Sequence, residues 1–402
     1  MSVKIVKCTF CGRSVQTPPE SKEDSIIIGG ENDEMAICGK CVSTAYEIVN
    51  DINFENADNT VNTDEISPKY LKAKLDEWII GQDLAKKRLA IAVYDHYKRI
   101  HQDKNADDAA EKSNILLVGS TGCGKTAIVK ALSKQLNLPL LIEDVTTITT
   151  TGFQGRNVED ILSGLLSITD GNLALAQKGI VLLDEGDKLR KASATGAGGR
   201  DVKGEGVQQG LLKITEGGIF NVVYNKKQYK FDTSNVLFVL AGAFEGIEKI
   251  ISKRLNSKNK TTGGFTGTIN KKTDSDYNKI IMDVTPEDLK DFGMMAELLG
   301  RFPIITPLQE LSEEALVKIL TEPKNAIIKQ VIKSFKTDNI VLKFDKEALT
   351  KIAKKAKLRK TGARALRSIV EEVIEDAKYD CPGSNIKEVI VKEDLSLLYI
   401  EN

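Results

Sequence analysis

A chain of 402 residues is long enough for two to three domains and an enzyme-sized core, which excludes a disulfide-held miniprotein. Hydrophobic residues at 41% and charged residues at 28% form an ordinary globular mix, setting aside wholesale disorder and a coiled-coil rod. Lys plus Arg (57) balances Asp plus Glu (57), so the chain lacks the strongly basic coat of a nucleic-acid binder, and only a local patch remains open.

The opening MSVKIVKCTF lacks the apolar stretch of a secretion signal, and the longest apolar run, Val236 to Phe244, is about half of a membrane span. A cytoplasmic protein that does not cross a membrane is expected. Residues 1–50 carry Cys8-Thr-Phe-Cys11 and Cys38-Gly-Lys-Cys41, two knuckles whose thiolates can close a tetrahedral zinc site. With no histidine nearby the site is expected to be closed and structural; redox-active thiols are the alternative. Residues 51–68 are polar, turn-rich and read as a linker.

From Lys69 the pattern turns helical, and Asn114 to Gly119 (NILLVG) reads as a buried strand. Further strands are expected at Pro139 to Glu143, Gly179 to Asp184 and Asn235 to Ala241, with helices between. Such alternation predicts an α/β domain, 69–308, built on a parallel sheet flanked by helices. Two stretches, 191–206 and 252–276, read as loops. Residues 309–402 form a smaller, mainly helical domain with strand-like pieces at 340–344 and 388–391.

Gly119-Ser-Thr-Gly122-Cys-Gly124-Lys125-Thr126 fits G-x-x-x-x-G-K-[ST] between a strand and a helix, where backbone N–H groups curl around phosphate oxygens. Lys125 would reach the outer phosphates and Thr126 would ligate magnesium. The nucleotide-binding set is thus Gly119, Ser120, Thr121, Gly122, Cys123, Gly124, Lys125, Thr126 and Ala127, with Cys123 at a free position of the motif. Ile180-Val-Leu-Leu-Asp184-Glu185 is an apolar strand ending in two carboxylates. Asp184 would share the magnesium and Glu185 would polarise an attacking water. Alone, that strand could simply run into a solvated turn; behind a phosphate loop it points to hydrolysis. Arg301 and Arg364 are candidates for neutralising charge on a terminal phosphate, although read alone both suit a solvated surface. Phe153, between Gly152 and Gly155, reads by itself as a turn aromatic.

Taken together these residues resemble the AAA+ ATPases, and within them the unfoldase subunits of Clp-type proteases. The stretches that carry the resemblance are the four-cysteine finger, EWIIGQDLAKKRLAIAVYDHYKR (77–99), GSTGCGKT, DVTTITTTGFQGRNVEDIL (144–162), LLDEGDK, RDVKGEGVQQGLLKITEG (200–217), PEDLKDFGMMAELLGRFP (286–303) and RKTGARALRSIVEE (359–372). The resemblance covers nearly the whole chain. It implies a homohexamer that hydrolyses ATP with Mg2+, threads protein substrates through a ring pore and delivers them to a ClpP-like peptidase. It also implies that Ile79, Ile80 and Gln82 line the adenine pocket. Arg301 would be the finger offered to a neighbouring subunit, Arg364 the sensor of nucleotide state, and the zinc finger (Cys8, Cys11, Cys38, Cys41) a dimerising module that docks adaptors.

The sequence departs from that family at three surfaces. The pore loop is Gly152-Phe153-Gln154-Gly155 where the family carries Gly-Tyr-Val-Gly; Phe153 keeps the aromatic and Gln154 replaces an apolar contact. The peptidase-docking loop is Gly263-Gly264-Phe265 where the family carries Ile-Gly-Phe, forfeiting much of the roughly 1.5–3 kcal/mol of a buried isoleucine. The family's basic Arg-Lys-His loop is shortened to Asn225-Lys226-Lys227-Gln228. A remodeller working without a peptidase is the main alternative. A nucleic-acid motor and a non-enzymatic ATP-binding scaffold fit less well, given the balanced charge and the full set Lys125, Asp184, Glu185, Arg301 and Arg364.

Overall fold

Apolar runs that bury every residue sit at the centre of the fold, seen in a computed structural model describing residues 4–17, 26–29, 35–42, 44–45, 67–100, 112–149, 156–190, 204–259, 274–359 and 361–401. The chain divides into two units, residues 1–64 and 65–402. In the first, β1 (Lys4–Lys7) pairs antiparallel with β2 (Ser14–Thr17), and β3 (Ile26–Gly29) pairs antiparallel with β4 (Met35–Cys38). The apolar cluster of this unit consists of cysteines, with Cys8 and Cys38 buried and Cys41 against them.

The second unit opens with the helix Pro68–Asp76, where Pro68 suits the first turn and the Ser67 hydroxyl accepts from the Tyr70 N–H at 3.1 Å. The longer helix Asp83–Ile100 follows. The strands in chain order are β5 (Ile115–Val118), β6 (Leu140–Asp144), β7 (Ile180–Asp184), β8 (Ile219–Tyr224), β9 (Lys227–Asp232), β10 (Leu237–Gly242) and β11 (Ile304–Pro307). Five of them form one sheet in the order β11-β5-β10-β7-β6, every pair parallel. Successive side chains point to opposite faces. Leu116, Val118, Val181, Leu183, Phe238 and Leu240 therefore enter one apolar core, and Ile115, Leu117, Ile180, Leu182, Leu237 and Val239 enter the other. Parallel strands gather their C-terminal ends along one edge, where ligands of open α/β sheets bind.

The expected strands at NILLVG, 139–143, 179–184 and 235–241 are these central ones. β11 and the β8–β9 hairpin escaped the sequence reading. The loop expected over 191–206 is overrun at its end by the helix Glu205–Glu216, and the loop expected over 252–276 by the helix Asp274–Ile281 at its end and by another at its start. The helix Ile247–Asn259 runs into it, because Ile247 and Ile251 are buried on the core side; residues 191–203 and 260–273 lie outside the described residues.

Beyond β11 the chain builds a third core under four helices, Glu313–Thr321, Ile327–Thr337, Lys346–Leu358 and Arg364–Asp380. A small sheet, β12 (Val341–Phe344), β13 (Ile386–Val391) and β14 (Leu397–Glu401), completes it in the order β12-β13-β14. Among the described residues no helix is long and apolar enough to cross a membrane.

Candidate active site

At the C-terminal end of β5 the backbone turns through Gly122 and Gly124, both with positive φ (78° and 107°), and enters the helix Lys125–Leu136. Two side chains from its first turn reach inward. Lys125 is buried and donates to the carbonyls of Gly119 (2.6 Å) and Ser120 (3.0 Å). Thr126 Oγ1 donates to Asp184 Oδ2 at 2.9 Å, joining the phosphate loop to the end of β7. Asp184 Oδ1 accepts the Glu185 N–H at 3.0 Å, and Glu185, exposed and left-handed (φ 59°), projects beyond the strand. Asp187 went unread in the sequence; buried, it accepts the Ala243 N–H at 2.9 Å and so ties the ends of β7 and β10.

A cavity of about 370 Å3 flanks the loop, lined by Trp78, Ile79, Ile80, Ala127, Leu311 and Ile319 among others. Its walls come from both the parallel-sheet region and the helical region. Ile79 and Ile80, expected at an adenine pocket, are among the residues that line this cavity. Gln82 stands elsewhere: its amide donates to the carbonyls of Cys123 (3.1 Å) and Gln309 (2.7 Å) and accepts the Gln309 N–H (3.0 Å). It braces the phosphate loop from behind, and it is not among the residues lining the cavity. Arg364 opens the last long helix and is exposed, whereas Arg367, one turn on, lines the cavity and donates to Gln330 at 2.6 Å.

The helical region touches the phosphate loop backbone to backbone. Ala363 N–H donates to the Gly122 carbonyl at 3.1 Å. A Cβ at Gly122 would lie 2.1 Å from the Thr361 carbonyl oxygen, and one at Gly362 would lie 2.7 Å from the Gly122 oxygen.

Arg301 belongs to the opposite end of the sheet. It precedes β11, whose Ile304 pairs with Ile115 at the start of β5, while Asp184 is the last residue of β7 and Lys125 follows the end of β5. Its carbonyl accepts from the buried Asn114 amide (2.9 Å), and its guanidinium pairs with Glu216. Phe153 and Gln154, and Gly263, Gly264 and Phe265, lie outside the described residues.

The residues present fit the expected groups. Loop glycines at positive φ, a buried lysine and an apolar cleft suit a nucleoside triphosphate. A hydroxyl and a carboxylate already sharing a hydrogen bond suit magnesium, a hard cation that takes oxygen ligands. In the N-terminal unit the sulfurs of Cys8, Cys11, Cys38 and Cys41 all lie within 4.8 Å of one another. Cys11 Sγ and Cys38 Sγ are 3.7 Å apart, close to the ~3.8 Å edge of a tetrahedron with Zn–S bonds of about 2.3 Å. Backbone N–H groups of Cys11 and Cys38 bring the Cys8 thiol down to about 6, while Cys41, sharing its proton with Cys11, is pushed up to about 12.

A phosphate loop, a strand-end carboxylate pair and a helical region closing over a nucleotide cleft define an AAA+ ATPase. Residues 110–305 match the family described as AAA domain (Cdc48 subfamily), and 311–381 match the C-terminal, D2-small domain of ClpB protein. The chain is 41% identical over 408 residues to the "ATP-dependent Clp protease ATP-binding subunit ClpX" of Bacteroides thetaiotaomicron, covering 98% of this chain and 96% of that one. The proteins of the same name from Borrelia duttonii (41% over 403 residues; 98% and 91%) and Treponema denticola (41% over 403 residues; 96% and 93%) are similar to the same degree. The chain belongs to the ClpX family.

Proposed function

We propose that this ATPase is a ring-forming protein unfoldase that draws polypeptides through an axial pore. The observation that carries the reading is the position of Arg301. A chain that holds Lys125 and Asp184 at one end of its sheet and Arg301 beyond the other completes its phosphate site with a neighbour's arginine. Closed rotational assembly satisfies every site in turn. The family relationship supports a ring of six subunits.

Within each site, Lys125 and the loop N–H groups hold the phosphates, Glu185 orients and polarises water, and Arg301 from the next subunit meets the developing charge. Thr126 and Asp184 would hold magnesium, which would supply further charge neutralisation at the terminal phosphates. Arg364 or its neighbour Arg367 reports nucleotide state to the helical region. Cys8, Cys11, Cys38 and Cys41 would hold zinc, which would brace the unit that receives adaptors; Phe153 and Gln154 grip the substrate, and the protein works in the cytoplasm. The relatives are named as subunits of a Clp protease; for this chain a ClpP-like peptidase is the expected partner, docked through Gly263-Gly264-Phe265. The glycine at 263 favours a second reading, a remodeller working alone.

Glu185→Gln is expected to retain ATP and lose at least 100-fold in turnover. Captured substrates in ATP then separate the two readings: diverse proteins with a peptidase support delivery, a few proteins without one support remodelling, and nuclease-sensitive material alone sinks both. Mixing inactive Lys125→Ala and Arg301→Ala chains tests the shared site. Mixed rings regain turnover at interfaces where both parental halves meet; no recovery would show that Arg301 acts otherwise.

A further inference from the structure

Glu143 is a carboxylate only 7% exposed, on the edge strand β6. Its neighbour helix makes room for it: a Cβ on Gly164 would lie 3.0 Å from Leu141 Cδ2 and 3.5 Å from Glu143 Oε1. A buried charge persists only with a partner. That partner is Arg156, whose Nη1 donates to both carboxylate oxygens at 2.9 and 2.8 Å.

The same arginine closes a ring of backbone contacts. Thr149 N–H donates to the Arg156 carbonyl (2.9 Å), Arg156 N–H donates to the Thr147 carbonyl (3.4 Å), and Ile148 and Arg156 form a parallel bridge. The chain thus departs at Thr149 and returns at Arg156 through a single root, and the residues between include Phe153. One position along from Glu143, Asp144 stands in register with Asp184 on β7. Asp144 also caps the turn that leads to the root, accepting from Thr146 N–H at 2.8 Å and Thr146 Oγ1 at 2.6 Å.

We propose that the Glu143–Arg156 ion pair is a latch that fixes Thr149 and Arg156, between which Phe153 lies in the sequence, to the strand beside Asp184, so that turnover at the ATP site stays coupled to polypeptide movement. Glu143 and Arg156 are positioning residues: neither touches nucleotide, and their work is to keep turnover coupled to polypeptide movement. The inference rests on Phe153 being the substrate-gripping aromatic. Backbone hydrogen bonds alone would leave the root free to hinge. The ion pair, anchored on a buried acid, gives it a side-chain strut into the sheet.

The test uses the full chain with ATP and magnesium and, as substrate probe, a carboxymethylated unfolded polypeptide with a donor and an acceptor dye at its ends. Turnover without substrate and polypeptide moved per ATP hydrolysed are both read. For Glu143→Gln and Arg156→Gln, substrate-free turnover should stay within about 2-fold of the parent. Movement per ATP should fall at least 10-fold, approaching that of Phe153→Ala. Arg156→Lys, which keeps the charge, should recover part of the loss and guards against misfolding of the neutral variants. The double change Glu143→Gln/Arg156→Gln removes the stranded charge and should move more polypeptide per ATP than Arg156→Gln. Parent-like coupling in the latch variants beside a defective Phe153→Ala would overturn the latch and leave the gripping assignment standing. Parent-like coupling in Phe153→Ala would remove the assignment and the latch together, and equal loss of turnover and movement in Arg156→Lys would make the pair a plain support of the ATP site.

Discussion

Both ends of the central sheet place cations against backbone carbonyls, yet only the C-terminal one faces the cleft. At the C-terminal end Lys125 donates to Gly119 and Ser120. At the N-terminal end three groups meet three successive carbonyls: Lys112 donates to Thr233 (2.8 Å), Arg99 to Ser234 (2.7 Å), and His96 Nε2 lies 3.1 Å from the Asn235 oxygen. Lys112 also sits over the Phe238 ring, 4.6 Å from its centroid, and burial brings its ammonium down to about 7. The difference lies in what surrounds the cation. Lys125 stands among glycines, a hydroxyl and strand-end acids facing a cleft, whereas Lys112 is spent on the turn that leads into β10. A buried cation alone marks no active site.

The largest expected contrast is in turnover. Lys125→Met should lose at least 100-fold in steady-state ATP hydrolysis, while Lys112→Met, whose stem can still cover Phe238, should stay within about 2-fold. Similar losses in both would erase the distinction. Next comes Gly122→Ala, which forces a methyl into the Thr361 carbonyl on a backbone already at positive φ. A fluorescent ATP analogue should bind at least 10-fold more weakly, and unchanged affinity would mean that the contact opens freely.

At the structural end the effect is one of pH. Burial, followed by the nearby Arg99 and Lys112 charges, lowers His96 to about 3 from 6.5. The folded chain therefore holds this ring neutral while the unfolded chain protonates. The stabilising contribution is complete above 6.5, falls as pH drops through that value, and levels off below about 3. Between pH 7 and 5 it should cost about 2 kcal/mol in urea unfolding, a slope that His96→Gln should flatten. The smallest effect is expected in the β8–β9 hairpin, where Asn225 and Lys226 both have positive φ (47° and 63°). Lys226→Gly should stabilise the fold by about 0.5–1 kcal/mol, read as a raised unfolding midpoint.

Local chemistry was the legible part. The phosphate loop and the LLDE strand announce themselves because each needs only neighbours in sequence, and the four cysteines announce a cluster able to hold a metal by spacing alone. Groups whose partners lie far along the chain did not. Gln82 braces Gln309 across 227 positions, and Asn114 holds Arg301 across 187. An Asn-Lys pair inside VVYNKKQYKF carried a turn signal for the hairpin, masked by the expectation of a basic loop. Glu143 looked like the end of an ordinary strand, since only its burial beside Gly164 gives Arg156 meaning. The Arg364 assignment followed a motif, and geometry brings Arg367 into view beside it.

The meeting of Gly122 with Gly362 has a further consequence, for how this molecule can change over generations. Where two main chains touch without side chains between them, no smaller residue exists to relax the contact, and any larger one pushes the helical region off the phosphate loop. Selection therefore has no dial at the seam itself. Adjustment of how tightly the two regions meet must come from the cleft walls, at positions such as Leu311, Ile319 and Arg367, where residues can be exchanged a methyl or a charge at a time.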